Sequence, residues 1–129
     1  MPSPADKMPD LGGREILIAE SNALIALDLA ETLRGWGARP VLYNELPEAE
    51  REAVSDRVFA ALIDLSQCHA EQTELCDALQ QRKVPIVLTT AWQRYDIGNQ
   101  FPGMTVFEKP VNYSALAQWF EDLSRQAPP

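Results

Sequence analysis

The chain is poor in the residues that mark several common protein classes. Its 129 residues include two cysteines, Cys68 and Cys76. They are too few for a disulfide framework and match no zinc spacing, so they read as reduced thiols in a cytoplasmic chain. No apolar run approaches the roughly 20 residues needed to span a bilayer, so no membrane partner is expected. Basic residues are outnumbered, eleven Lys and Arg against nineteen Asp and Glu, for a net charge of −8. A nucleic-acid partner is therefore not expected, because gripping phosphates takes a basic surface. The single histidine, His69, falls in a loop and leaves a hydrolytic site without a base. There is no phosphate-cradling glycine loop and no nucleophile elbow. Gly12-Gly13 precedes a strand rather than following one, so it is not a dinucleotide fingerprint.

What remains is an ordinary core-forming composition, 46% apolar, at a length that fits one domain. The opening MPSPADKMPD lacks the basic-then-apolar plan of a signal peptide. Residues 1–13 are expected as a flexible tail, 14–126 as the folded unit and 127–129 as a second short tail. Short apolar runs at 15–19, 39–43, 58–65, 85–89 and 104–108 are the strand candidates. Four of the five are apolar nearly throughout, as strands covered on both faces are.

Between them lie helical patterns. Ser21 or Asn22 can cap the first helix, whose stripe is Ile25, Leu29, Leu33 and Trp36, with Gly35 and Gly37 ending it. Pro47, Glu48 and Glu50 suit the first turn of a short second helix. A third over 71–81 carries Leu75, Cys76 and Leu79. The last, after Asn112, carries Leu116, Trp119, Phe120 and Leu123. Residues 92–103 have a poor stripe, so a helix between strands four and five is short or absent. The alternation predicts an α/β fold with a doubly wound, five-stranded parallel sheet.

Chemistry in such a sheet gathers at the carboxyl ends of the strands, near the switch in strand order. Those ends carry Glu20-Ser21, Asp64, Thr89-Thr90 and Lys109-Pro110. A carboxylate can attack a phosphoryl group to form an acyl phosphate. Mg²⁺ held by carboxylates and a carbonyl offsets the repulsion between the two anions, while an ammonium and a hydroxyl bind the remaining phosphoryl oxygens. Taken singly, each residue has a plainer role: Asp64 in a turn, Ser21 as a helix cap, Glu20 and Lys109 on the surface, Thr90 in a strand. Their arrival together at four strand ends favours the chemical reading. Cys68, His69 and Cys76 suggest a soft-metal site only weakly, for want of a fourth ligand. Asp28 and Glu31 read as solvated charges.

The pattern resembles the receiver domain of response regulators, over nearly the whole chain after residue 13. The stretches ILIAESNALIALDLAETLRGWG (16–37) and VPIVLTTAW (84–92), with the Glu108-Lys109-Pro110 triplet, look most like the FAT GUY class of alphaproteobacterial single-domain receivers. The resemblance implies a flavodoxin- or CheY-like strand order of 2-1-3-4-5 with a reduced fourth helix. It makes Asp64 the phosphoacceptor, Thr90 the switch hydroxyl and Lys109 a phosphoryl contact. Glu20, Asp64 and the Ser66 carbonyl would hold Mg²⁺, and Trp92 would border the pocket. It implies a cis Lys109–Pro110 bond. It implies a cytoplasmic, stand-alone receiver in a two-component phosphorelay and not an enzyme acting on an external metabolite. A sensor histidine kinase or phosphotransfer protein is the donor, the downstream partner is unassigned, and a homodimer is left open.

Two departures from the family pattern bear on function. Ser21 stands where the second acid of the pair belongs, so Mg²⁺ binding is expected to be weak. Val106 stands at the usual aromatic switch position. These departures make a phosphorylation-independent pseudo-receiver, acting as an interaction module, the main alternative. A flavodoxin-like cofactor-binding or hydrolytic protein ranks behind both.

Overall fold

The computed structural model describes residues 8–65, 69–91 and 104–126. Among the described residues, five strands and four helices follow in the order β1 (Glu15–Ala19), α1 (Ala23–Gly35), β2 (Arg39–Leu42), α2 (Glu48–Ala53), β3 (Ala60–Asp64), α3 (His69–Gln81), β4 (Ile86–Thr90), β5 (Thr105–Glu108) and α4 (Tyr113–Gln126). The strands form one sheet in the order β2-β1-β3-β4-β5, and every pairing is parallel. The chain moves from β1 outward to β2, then crosses back to β3. The switch point therefore falls between β1 and β3, the crevice where ligands gather in such sheets.

Strand alternation sorts the interior into two cores. Ile16, Ile18, Ala60, Leu62 and Val87 face α1 and α4, meeting Leu29, Leu33, Leu116 and Phe120. Leu17, Ile63, Ile86 and Leu88 face the other way, against Val54 and the α3 residues Leu75, Cys76 and Leu79. Phe120 anchors the first core, its ring edge-on to Trp119 at 5.0 Å and to Trp36 at 6.2 Å between centroids. Such pairs add to plain area burial. The helical stripes expected from the sequence are thus the buried faces. Pro40 is tolerated in β2 because that strand is a sheet edge.

The packed chain starts ahead of Arg14. Leu11 is wholly buried, and its N–H donates to the Trp36 carbonyl at 2.8 Å, while that of Gly13 donates to Gly37 at 2.6 Å. Gly37 has φ +85°, and a Cβ there would sit 3.3 Å from Asp10 Oδ1. The turn after α1 therefore favours glycine for its left-handed backbone. The strands begin or end within two residues of the apolar runs that announced them. The stretch between β4 and β5, where a helix was expected to be short or absent, lies outside the described residues, as do residues 1–7 and 127–129.

Candidate functional site

Three of the expected site residues converge at the carboxyl edge of the sheet, and strand geometry explains why. Ala19 is registered opposite Ile63 in the β1–β3 pair, so Glu20 follows β1 beside Asp64 at the end of β3. Successive strand side chains alternate faces. Glu20 continues the Ile16, Ile18 series and Asp64 the Ala60, Leu62 series, so both carboxylates leave on the α1–α4 side. Phe107 packs against that same core, and two residues on, Lys109 reaches across from the end of β5. The Lys109 backbone N–H donates to the Thr90 carbonyl at 2.7 Å and that of Leu65 to Thr89 at 2.9 Å, tying the three strand ends together.

The Lys109 ammonium bridges both acids, with Nζ 2.9 Å from Asp64 Oδ1 and 2.7 Å from Glu20 Oε1. The Glu20 contact is short but poorly directed, an ion pair more than a hydrogen bond. Both carboxylates are nearly sealed from solvent, Glu20 at 5% and Asp64 at 3% exposure. Burial by itself would lower the ammonium's pKa. The close contacts and negative charges of Glu20 and Asp64 outweigh that and hold it above the ordinary lysine value. The trio carries a net charge of about −1, one buried anion more than its cation neutralises.

Glu20 is held from other sides too. Its Oε2 accepts the Asn22 N–H at 3.0 Å. Its carbonyl accepts from Asn44 Nδ2 at 3.1 Å. Asn22 in turn caps α1, its Oδ1 accepting from Leu24 and Ile25 N–H at 3.0 and 3.2 Å. Of the two cap candidates, Asn22 and not Ser21 takes the role. Ser21 is exposed next to the acidic crevice.

Thr89 and Thr90 are both buried. Thr90 continues the Ile86, Leu88 series on the α2–α3 face, so alternation directs its side chain away from the face that Asp64 takes. It adjoins Lys109 through the main chain. The Lys109–Pro110 peptide bond is cis. Ser66 and Trp92, the expected carbonyl ligand and rim aromatic, lie outside the described residues, and so does Cys68.

Glu20 and Asp64 offer the hard carboxylate oxygens that Mg²⁺ prefers, and one or two such ligands, with water and phosphoryl oxygens, make up its usual shell. No group of three His, Cys, Asp or Glu side chains able to hold a metal occurs among the described residues. The donor set fits Mg²⁺ but is lean. Cys76 does not contribute to a soft-metal site either: it is packed in the α3 core, where burial and, behind it, the Asp77 charge push the thiol up to about 11.

The sequence reading missed one contact on the same face. Asp28 is not a plain solvated charge, because the Tyr113 hydroxyl donates to its Oδ2. Burial first, then this bond and the Asp28 charge, push the Tyr113 phenol up to about 12. Nothing in the local pattern of α1 signals this link, which spans 85 residues of sequence.

No family model matches the chain and no curated protein is significantly similar to it in sequence. Solved structures do match, and several of them are receiver domains. A response regulator receiver protein from Burkholderia phymatum superposes with a TM-score of 0.70 at 15% identity, covering 90% of this chain and 98% of that one. SdrG from Sphingomonas melonis is 25% identical with a TM-score of 0.66, covering 88% of this chain and 98% of its own. A solution structure of SdrG in its BeF3-activated conformation also matches. The receiver domain of a Saccharomyces cerevisiae response regulator, co-crystallised with a histidine phosphotransfer protein, matches with a TM-score of 0.69 at 20% identity, over 95% of this chain and 94% of that one. The chain thus has the CheY-like fold of two-component receiver domains.

Proposed function

We propose that this chain is a receiver domain of a two-component phosphorelay that accepts a phosphoryl group on Asp64 from a histidine kinase or phosphotransfer protein. The observation that carries this reading is the buried Glu20–Lys109–Asp64 cluster at the switch point of the sheet. A surface ion pair would be solvated and interchangeable. Here a carboxylate nucleophile and an ammonium are set side by side at the one crevice the fold reserves for ligands.

In the transfer, an Asp64 carboxylate oxygen forms the new O–P bond while the donor's N–P bond breaks, and the imidazole leaves as a neutral base once protonated. Lys109 is placed to exchange part of its contact with the two carboxylates for the incoming phosphoryl oxygens, a charge it meets without solvent reorganisation. Glu20 and Asp64 would hold Mg²⁺, with the Ser66 carbonyl as the ligand the resemblance implies, and the ion would neutralise charge between nucleophile and phosphoryl group. Ser21 adds no charge, so that binding is weak. Thr90 is the switch hydroxyl, reaching the phosphoryl group by turning toward it.

The motif resemblance of 16–37 and 84–92 supports placement in the FAT GUY class, and the yeast receiver's co-crystal supports a phosphotransfer protein as the kind of partner. No helix among the described residues is long and apolar enough to cross a membrane. The alternative, a phosphorylation-independent interaction module, draws on Ser21, exposed after β1 where the family pattern has a second acid, and more weakly on Val106.

Titration with Mg²⁺ and then beryllofluoride, followed by backbone amide NMR, separates the two. The expected result is saturable shifts at Asp64, Thr90 and Lys109 that need both reagents and vanish in Asp64→Asn. Spectra unchanged at tens of millimolar Mg²⁺ would establish the interaction module instead.

A further inference from the structure

Glu20 is the only acid that β1 brings to the site, so its placement matters more here than where two acids share the task. A cavity of about 410 Å³ lies beside it on the β2 side, lined by residues that include Glu20, Ser21, Leu27, Leu42, Asn44 and Glu45. What crosses that gap is a hydrogen bond from Asn44 Nδ2 to the Glu20 carbonyl at 3.1 Å. Asn44 sits in the single 3₁₀ turn Tyr43–Glu45 that joins β2 to α2, and such a turn alone is a loose support.

Arg51 stiffens it. From α2 its Nε donates to the Leu46 carbonyl at 3.1 Å and its Nη2 to the Asn44 carbonyl at 3.2 Å. Its guanidinium lies over the Tyr43 ring, 5.2 Å from the centroid. One side chain thus clamps three of the four residues 43–46. Only a planar fork with several fixed donors can serve two carbonyls and a ring at once. The chain of contacts runs Arg51, Asn44, Glu20, Lys109, Asp64.

We propose that Asn44 and Arg51 are positioning residues for the phosphoryl site, bracing the end of β1 so that Glu20 stays aimed at Lys109 and at an incoming cation. This rests on the proposed receiver function for its consequence, but the brace is measurable without it. The Asn22 amide reports the position of Glu20 directly, since it donates to Glu20 Oε2.

Amide hydrogen exchange and Mg²⁺ titration on Asn44→Ala, Asn44→Asp, Arg51→Ala and Arg51→Lys test the proposal. The Asn22 amide is expected to exchange about ten-fold faster in all four, with Leu62 and Ile63 of β3 unchanged. Half-saturating Mg²⁺ is expected to rise about ten-fold in both alanine variants, as it does when the partners of a metal's ligands are removed. Asn44→Asp keeps the side chain's shape and loses the donor, so it isolates the hydrogen bond. Wild-type protection of Asn22 in Asn44→Ala and Asn44→Asp overturns the brace. Acceleration spread equally through β3 overturns it too, since the variants would then loosen the whole domain. If the wild-type protein shows no response to Mg²⁺, the phosphoryl reading fails, while the exchange data still decide whether the brace exists.

Discussion

Replacing Lys109 with methionine is expected to destabilise the domain by about 3–5 kcal/mol at pH 7, the range for removing one partner from a buried ion pair. The substitution keeps the length and apolar stem of the side chain, so the loss is electrostatic. Glu20 and Asp64 would face each other at 5% and 3% exposure with no counter-charge. The wild-type protein should lose this advantage at the alkaline end. Its Lys109 pKa is raised on folding, so the ammonium's contribution is complete below the ordinary lysine value and is lost as pH climbs through the folded one. Urea melts of both proteins at pH 7 and at pH values rising through and above the ordinary lysine range measure this. An equal midpoint at pH 7 would mean that the cluster is solvated and that its place in the site has been misread.

Ser21→Asp is expected to tighten Mg²⁺ binding by about thirty-fold. Ser21 is exposed, so the water value of Coulomb's law applies, about 1 kcal/mol for unit charges 4 Å apart. A divalent ion then gains about 2 kcal/mol, and 1.4 kcal/mol is a factor of ten. Without the metal, the new charge adds to an already negative crevice, so the variant is expected to be slightly less stable in chelator and more stable in Mg²⁺ than the wild type. Isothermal titration at fixed ionic strength reads the affinity. An unchanged constant would place the metal away from the end of β1.

The two cores were legible because they follow from periods that sequence displays. Leu29, Leu33 and Trp36 recur at helical steps and Ile16 and Ile18 at strand steps, and each is buried as its period requires. The site was legible for a related reason. Strand ends can be read off where apolar runs stop, and parallel topology brings those ends to one edge, so Glu20, Asp64 and Lys109 could be set together before any coordinate.

Contacts made by residues outside the periodic elements were not legible. Leu11, in a Pro- and Gly-containing opening, shows no pattern, yet it is wholly buried beneath Trp36. Asn44 looks like any turn residue, and its bond to Glu20 depends on how β2 and α2 are joined. The Tyr113–Asp28 link needs α1 and α4 to be neighbours, which is a property of the finished sheet. Alternation along β4 adds a further refinement, since Thr90 follows the Ile86, Leu88 series that packs toward α3, on the side of the sheet opposite the Asp64 series.

Intact mass after exposure to a small phosphodonor in excess Mg²⁺ tests the central claim most directly. The account predicts a gain of one phosphoryl group in the wild-type protein, lost on standing as the acyl phosphate hydrolyses and absent from Asp64→Asn. A wild-type protein that never gains the group, or an Asp64→Asn variant that still does, would contradict it.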